Sequence, residues 1–113
     1  MTRTITREAL LQRLAATPRP ALIEALPERY FRDGHLPGAL HMPHGNVSAL
    51  APGAIPDRTA EIVVYCASPS CRNSHIAAAA LESLGYRSVS IYAGGKEDWQ
   101  AAGLPLEQGN PGR

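Results

Sequence analysis

The sequence predicts an α/β domain in which helices flank both faces of a mainly parallel β-sheet. The main observation is that short apolar stretches of strand character alternate with helical stretches along most of the chain. The length of 113 residues corresponds to one domain, so we expect a single domain over residues 1–113. A hydrophobic content of 44% beside 19% charged residues is enough for that domain to bury one core.

The composition argues against several classes of function. Lysine and arginine total 11 and aspartate and glutamate total 10, so a net charge of +1 gives no broad attraction to nucleic acids or anionic membranes. No apolar run approaches the ~18 residues of a membrane span, and Met1 to Leu14 lacks the apolar centre of a signal peptide. Two cysteines are too few for a disulfide scaffold. We therefore expect a cytoplasmic protein without nucleic-acid or membrane partners.

The first predicted helix covers residues 6–15. Leu10 and Leu14 recur at helical spacing, and Thr6 is a suitable residue to cap the amino end. Glu8 in the first turn complements the positive end of the helix dipole. Two prolines follow shortly after this segment and end the helix.

The next elements are shorter and their patterns are weaker. Residues 21–25 are apolar except for one glutamate and predict a buried strand. The proline at position 27 opens a helical turn that runs to residue 32, and residues 39–42 predict a second short strand. Within residues 46–56 we expect one helical turn around 47–50 followed by a proline-rich loop.

The second half of the chain is patterned more strongly. Residues 61–66 are rich in β-branched side chains and predict a central strand. A helix is predicted over residues 72–84 from its apolar stripe, and a glycine follows where a carboxyl-terminal cap is expected. A further strand over residues 87–92 and a last helix over 96–102 complete the alternation. We expect the tail, residues 109–113, to be mobile.

A polar loop follows the central strand, and ligands of parallel sheets bind beyond the carboxyl ends of the strands. A thiol opens this loop and a guanidinium closes it, just before the next helix. The candidate catalytic residues are Cys66 and Arg72. The candidate substrate-binding residues are Ala67, Ser68, Pro69, Ser70, Cys71, Asn73 and Ser74.

Three features of the loop favour a thiolate at Cys66. Backbone N–H groups of residues 67–72 form an anion-binding nest if the loop curls, and the following helix adds a partial positive charge. Arg72 adds a full charge when its side chain turns inward. We expect these groups to lower the pKa of the thiol and to create a nucleophile beside an anionic substrate. The alternative is a buried strand cysteine that serves only as a small hydrophobe.

Taken together, these segments resemble the single-domain rhodanese-like sulfurtransferase family. The matching pieces are ALIEA with GHLPGALHMP, then EIVVYC with its loop and alanine-rich helix, then LGYRSVSIYAGGKEDWQAAGLPLE, within residues 20–107. The resemblance implies a five-stranded parallel sheet and a persulfide on Cys66 that carries sulfane sulfur. The sulfur would pass from a small-molecule or protein donor to a nucleophilic acceptor, with no metal or organic cofactor.

The loop departs from the family pattern in its length, because the arginine follows the cysteine by six residues rather than five. The longer loop resembles rhodanese-like phosphatases and arsenate reductases, so phosphate or arsenate chemistry at Cys66 is an alternative. Three residues weigh against it. Pro69 has no N–H, Cys71 replaces an acidic residue of the phosphatases, and Tyr65 replaces their histidine. A third hypothesis is a rhodanese-like module without catalysis that binds or senses through a partner.

Cys71 leaves three interpretations open. It is a resolving thiol that attacks an adduct on Cys66, a bystander that lines the loop, or a residue that forms a disulfide with Cys66 after purification. Upstream, Glu24 and Leu26 stand where the family often has aspartate and arginine, which leaves the substrate open.

Four histidines and a glycine pair lie outside the loop between Cys66 and Arg72. His41 and His44 are spaced as a metal pair, but no further ligand lies at suitable spacing, so we expect no metal site. We expect His35 to be structural, paired with the carboxylate at position 24 or with a backbone group, and His75 to be solvated. The Gly-Gly pair at positions 94–95 resembles the family's late glycines and is a weak phosphate signal by itself.

Overall fold

The computed structural model describes residues 3–109 and shows strands and helices in alternation. The five strands are β1 (Arg3–Thr4), β2 (Ala21–Glu24), β3 (Leu40–His41), β4 (Glu61–Tyr65) and β5 (Ser88–Tyr92). The helices are α1 (Arg7–Leu14), α2 (Glu28–Asp33), α3 (Val47–Ala54), α4 (Asn73–Ser83) and α5 (Gly95–Ala101), with a 3₁₀ turn at His44–Asn46.

The strands form one parallel sheet in the order β1-β5-β4-β2-β3. Strand β4 is central, and its last residue Tyr65 is in register with Glu24 on one side and Tyr92 on the other. The carboxyl ends of three neighbouring strands therefore meet at one edge. The predicted α/β fold with a five-stranded parallel sheet is confirmed.

The core lies on both faces of the sheet because successive side chains of a strand point in opposite directions. Ile23 and Val64 pack on one face with α3 and α4, through residues such as Ala77. Leu22 and Val63 pack on the other face with α1 and α5, whose buried residues include Leu10 and Trp99. The predicted flanking of both sheet faces by helices is thereby observed.

Two elements differ from the sequence predictions. Strand β1 was not predicted; it is an edge strand that pairs with β5 and consists of two exposed polar residues. Helix α3 runs through Pro52 to Ala54, where only a single turn followed by a loop was expected. Its end is held by the Tyr86 hydroxyl, which lies 3.0 Å from the Ala51 carbonyl oxygen and 2.5 Å from that of Ile55.

The predicted helix cap at Thr6 and the predicted mobile tail lie near the two ends of the described residues. The Thr6 hydroxyl accepts a hydrogen bond from the Ala9 N–H at 3.1 Å, as expected of a helix cap. The tail expected to be mobile at 109–113 lies, except for Gly109, outside the described residues. Among the helices of residues 3–109, none has the length and apolar character needed to span a bilayer.

Candidate functional site

Cys66 follows the last residue of the central strand β4, and the loop that it opens leads into helix α4. The start of this loop is attached to the first turn of α5 by two backbone hydrogen bonds. The Lys96 N–H donates to the Cys66 carbonyl at 3.0 Å, and the Glu97 N–H donates to the Ala67 carbonyl at 2.9 Å. The loop therefore lies between two helix amino ends at the carboxyl edge of the sheet.

Gly95 allows α5 to approach the loop this closely. Its φ of +64° is a left-handed conformation, and a Cβ there would lie 2.5 Å from the Cys66 carbonyl oxygen. The same Cβ would lie 2.9 Å from Ala67 C and Ser68 N, which are backbone atoms that cannot move aside cheaply. This glycine thus lets the start of α5 lie directly against the loop. The sequence pattern alone gives no reason for a glycine at this position.

The backbone amides of the loop are only partly available for an anion. Pro69 has no N–H, and the Cys71 N–H donates to the Ser68 carbonyl at 3.0 Å, which closes a turn. Four amides between positions 67 and 72 have no hydrogen-bond acceptor within residues 3–109: those of Ala67, Ser68, Ser70 and Arg72. Four donors are consistent with a partial version of the nest that the sequence predicts.

The sulfur of Cys66 is bonded to that of Cys71, with 6.3 Å between the two Cα atoms. Cys66 is only 2% exposed, whereas Cys71 is partly exposed. The structure shows the two cysteines closed as a disulfide, a bond that is among the three interpretations of Cys71, and the predicted thiolate at Cys66 concerns the reduced form. Cys66 becomes a nucleophile only after this bond is reduced.

The polar side chains of the loop differ in their distance from the sulfur. Ser74 is buried in the first turn of α4, and its hydroxyl oxygen lies 3.5 Å from the Cys66 sulfur. Ser68 and Ser70 pair with each other, with their hydroxyl oxygens 3.1 Å apart. The guanidinium of Arg72 is on an exposed residue and forms no ion pair within the described part of the chain. Asn73 is half-buried beside it.

Replacing Ser74 with alanine is expected to slow alkylation of reduced Cys66 by iodoacetamide at pH 7 about fivefold. A hydroxyl that donates to a thiolate stabilises the charged form, and hydrogen bonds to charged groups contribute roughly 1.5–3 kcal/mol. A thiolate of higher pKa is also more nucleophilic, which offsets about half of this free energy and leaves a change in rate of about fivefold. The rate is measured in a Cys71→Ser background so that only Cys66 reacts. Ser70→Ala is the matched control and should leave the rate unchanged; an equal rate in both variants would contradict the assigned role of Ser74.

A buried charged network that the sequence did not reveal lies beside the loop. Glu24, fully buried at the end of β2, accepts a hydrogen bond from the Tyr65 hydroxyl at 2.6 Å. The Lys96 ammonium lies 3.0 Å from its other oxygen and donates to the Tyr30 carbonyl at 2.6 Å. The Leu36 N–H donates to the Tyr65 hydroxyl oxygen at 3.0 Å.

Burial is the main cause of the raised pKa values of Glu24 and Tyr65 in this network. Burial raises the pKa of Glu24, while the Tyr65 hydroxyl and the charge of Lys96 act to lower it. Burial and the neighbouring carboxylate together hold the pKa of Tyr65 well above its usual range. Lys96 therefore supplies the charge that keeps a buried carboxylate paired, and its own backbone N–H holds Cys66.

Two of the four histidines contact backbone carbonyl groups. His35 is stacked on Phe31, with ring centroids 3.8 Å apart, and its Nδ1 lies 2.8 Å from the Phe31 carbonyl oxygen. His41 Nε2 lies 2.7 Å from the Leu26 carbonyl oxygen, and His75 is exposed. In residues 3–109 no group of three histidine, cysteine or carboxylate side chains is placed to hold a metal ion.

Comparison with known proteins adds a family match. A model of the rhodanese-like domain matches residues 6–102. An HTH-type transcriptional regulator of Mycobacterium tuberculosis is 32% identical over 107 residues, which cover 95% of this chain and 46% of the regulator. The chain thus spans about half the length of this curated relative.

Solved structures give the same family. The rhodanese-like domain of a protein from Anabaena sp. has a TM-score of 0.83 and 28% identity, covering 96% of this chain and 80% of that one. A rhodanese from E. coli, solved with anions, has a TM-score of 0.67 and 28% identity, covering 80% of this chain and 99% of that one.

Proposed function

This chain belongs to the rhodanese-like domain family, and from that premise we propose that it is a sulfurtransferase whose reduced Cys66 carries sulfane sulfur as a persulfide. The donor and the acceptor are small molecules or proteins, and the reaction requires no metal or organic cofactor. Transfer is ping-pong, since the donor leaves before the acceptor arrives.

The observation that carries the proposal is the place of Cys66. Its sulfur lies at the carboxyl end of the central strand, 3.5 Å from the buried Ser74 hydroxyl oxygen. Cys66 opens a loop in which four amides have no acceptor among residues 3–109. Hydrogen-bond donors of this kind stabilise a negative charge on sulfur, on both the thiolate and the persulfide. Arg72 is proposed to assist by turning toward the anion.

The chemistry with thiosulfate balances on Cys66 alone. The thiolate attacks the outer sulfur of thiosulfate, the sulfur–sulfur bond breaks, and sulfite leaves with the electron pair. A nucleophile such as cyanide then attacks the outer sulfur of the persulfide and releases the thiolate of Cys66. The cysteine therefore ends the cycle in the state in which it began.

The proposal is tested by incubating reduced protein, freed of reductant, with thiosulfate and measuring its intact mass. The Cys71→Ser variant should gain the mass of one sulfur atom on Cys66. The same variant with Cys66→Ser added should gain nothing, and thiosulfate–cyanide turnover should fall to background. Sulfur uptake or turnover that persists without Cys66 would contradict the proposal.

Phosphate or arsenate chemistry on the same cysteine is the competing enzyme function. The loop offers an oxyanion fewer donors than its seven residues suggest, because Pro69 has no N–H and the N–H of Cys71 closes a turn. No acidic group in the loop is placed to protonate a leaving group. Tight binding of phosphate or arsenate without persulfide formation would favour this alternative.

A second candidate function is a sensing module within a regulator. The supporting observation is the similarity to a transcriptional regulator, of which this chain spans 46%. In that case modification of Cys66 by sulfane sulfur would be sensed by a partner segment, and the protein would not turn over any donor rapidly. A cytoplasmic location is part of both proposals, because reducing conditions there would reopen the bond between the two cysteines.

A further inference from the structure

We propose that Cys71 is a resolving thiol, which converts the persulfide on Cys66 into free hydrosulfide and an internal disulfide. The inference rests on the proposed function, because it needs Cys66 to accept sulfane sulfur first. It adds a second activity to the same loop: the reduction of bound sulfur to sulfide without an external acceptor.

The geometry supports attack by Cys71 within one chain. The two Cα atoms lie 6.3 Å apart, inside the range that a disulfide spans, and the two sulfurs are bonded. The Cys71 N–H is fixed by its hydrogen bond to the Ser68 carbonyl at 3.0 Å, which makes residue 71 the last residue of a turn that begins at Ser68. The loop between β4 and α4 thus holds the two cysteines at bonding distance.

The step balances in atoms and electrons. The Cys71 thiolate attacks the inner sulfur of the persulfide, which is the sulfur of Cys66, and a new sulfur–sulfur bond forms. The bond to the outer sulfur breaks, and that atom leaves as hydrosulfide with the electron pair. The sulfane sulfur is reduced by two electrons, and the two cysteines are oxidised to the disulfide seen in the structure.

Regeneration requires a dithiol reductant, such as dithiothreitol or a protein dithiol of the thioredoxin class. The exposure of the two sulfurs sets where that reductant attacks. While the disulfide is closed, Cys71 is partly exposed and Cys66 is 2% exposed, so an external thiolate reaches Cys71 and Cys66 departs as the leaving group. Reduction through Cys71 thus returns Cys66 as the thiolate that accepts the next sulfur.

The experiment compares three reduced proteins after the reductant has been removed: the natural chain, Cys71→Ser, and Cys71→Ser combined with Ser70→Cys. The last variant keeps the thiol but moves it by one position. Each is given thiosulfate, released sulfide is measured, and the intact mass is followed with time. The natural chain should release one sulfide per chain and end two hydrogens lighter, at a first-order rate that does not depend on protein concentration.

The variants separate this inference from the proposed function. Cys71→Ser should hold the persulfide and release no sulfide, and the shifted thiol should release it at least about tenfold more slowly than the natural chain. If Cys71→Ser and the natural chain hold the persulfide equally long, the resolving role is overturned while the sulfurtransferase proposal stands. If neither protein takes up sulfur, the proposed function fails and this inference fails with it.

Discussion

Replacing Gly95 with alanine is expected to abolish sulfur uptake by Cys66 and to lower the free energy of unfolding by about 4 kcal/mol. A side chain at this left-handed position is strained, at roughly 1–3 kcal/mol, and overpacking against fixed atoms adds a similar amount. The added Cβ would lie 2.5 Å from the Cys66 carbonyl oxygen, so α5 and the loop must separate. Urea denaturation and the thiosulfate mass assay measure the two effects.

Gly103→Ala is the matched control for this prediction. Gly103 has a φ of +76°, close to that of Gly95, but no atom lies within 4 Å of the Cβ that would be added. It should therefore lose only the backbone part, about 1 kcal/mol, and keep its sulfur uptake. Equal losses of stability and uptake in the two variants would show that the close contact between Gly95 and the loop contributes to neither property.

Replacing Lys96 with methionine is expected to lower the free energy of unfolding by about 3 kcal/mol at pH 7.5. The change leaves the carboxylate of Glu24 fully buried without its cation, and removing one partner of a buried pair is strongly destabilising. Adding Glu24→Gln to the same chain should restore most of the loss. Arg13→Met, which breaks the more exposed ion pair with Glu61, should have a much smaller effect.

The dependence of this loss on pH follows from Glu24. Burial already raises the pKa of Glu24 above its ordinary value of 4.5, and losing Lys96 raises the folded-state pKa further. The folded state is then favoured where the carboxyl is protonated, and that advantage is lost as the pH rises through the raised pKa. The deficit of Lys96→Met should therefore be largest at neutral pH and shrink toward pH 4.5. A deficit that does not change with pH would contradict the assignment to Glu24.

The sequence predicted the elements that carry an intrinsic signal. Strands β4 and β5 have alternating or β-branched apolar residues, and the rule for parallel sheets placed Cys66 at the edge where ligands bind. Strand β1 has no such signal, because Arg3 and Thr4 are polar and pair as a strand only through β5. Its existence depends on tertiary contacts that a local pattern does not contain.

The site was predicted in part for the same reason. The sequence singled out Cys66 and the loop, yet it left three interpretations of Cys71, and the structure shows that residue bonded to Cys66. The pair of Glu24 and Lys96 joins positions 72 residues apart, so no spacing rule could connect them. The need for a glycine at position 95 likewise depends on its contact with the Cys66 carbonyl, which local sequence does not reveal.

Two hydrogen bonds join the start of α5 to the loop that Cys66 opens. Residues tied together in this way open as one cooperative unit, so the loop can detach from the sheet edge only when the last helix shifts with it. A partner that binds α5 would thereby change how often the Cys66 loop detaches from the sheet.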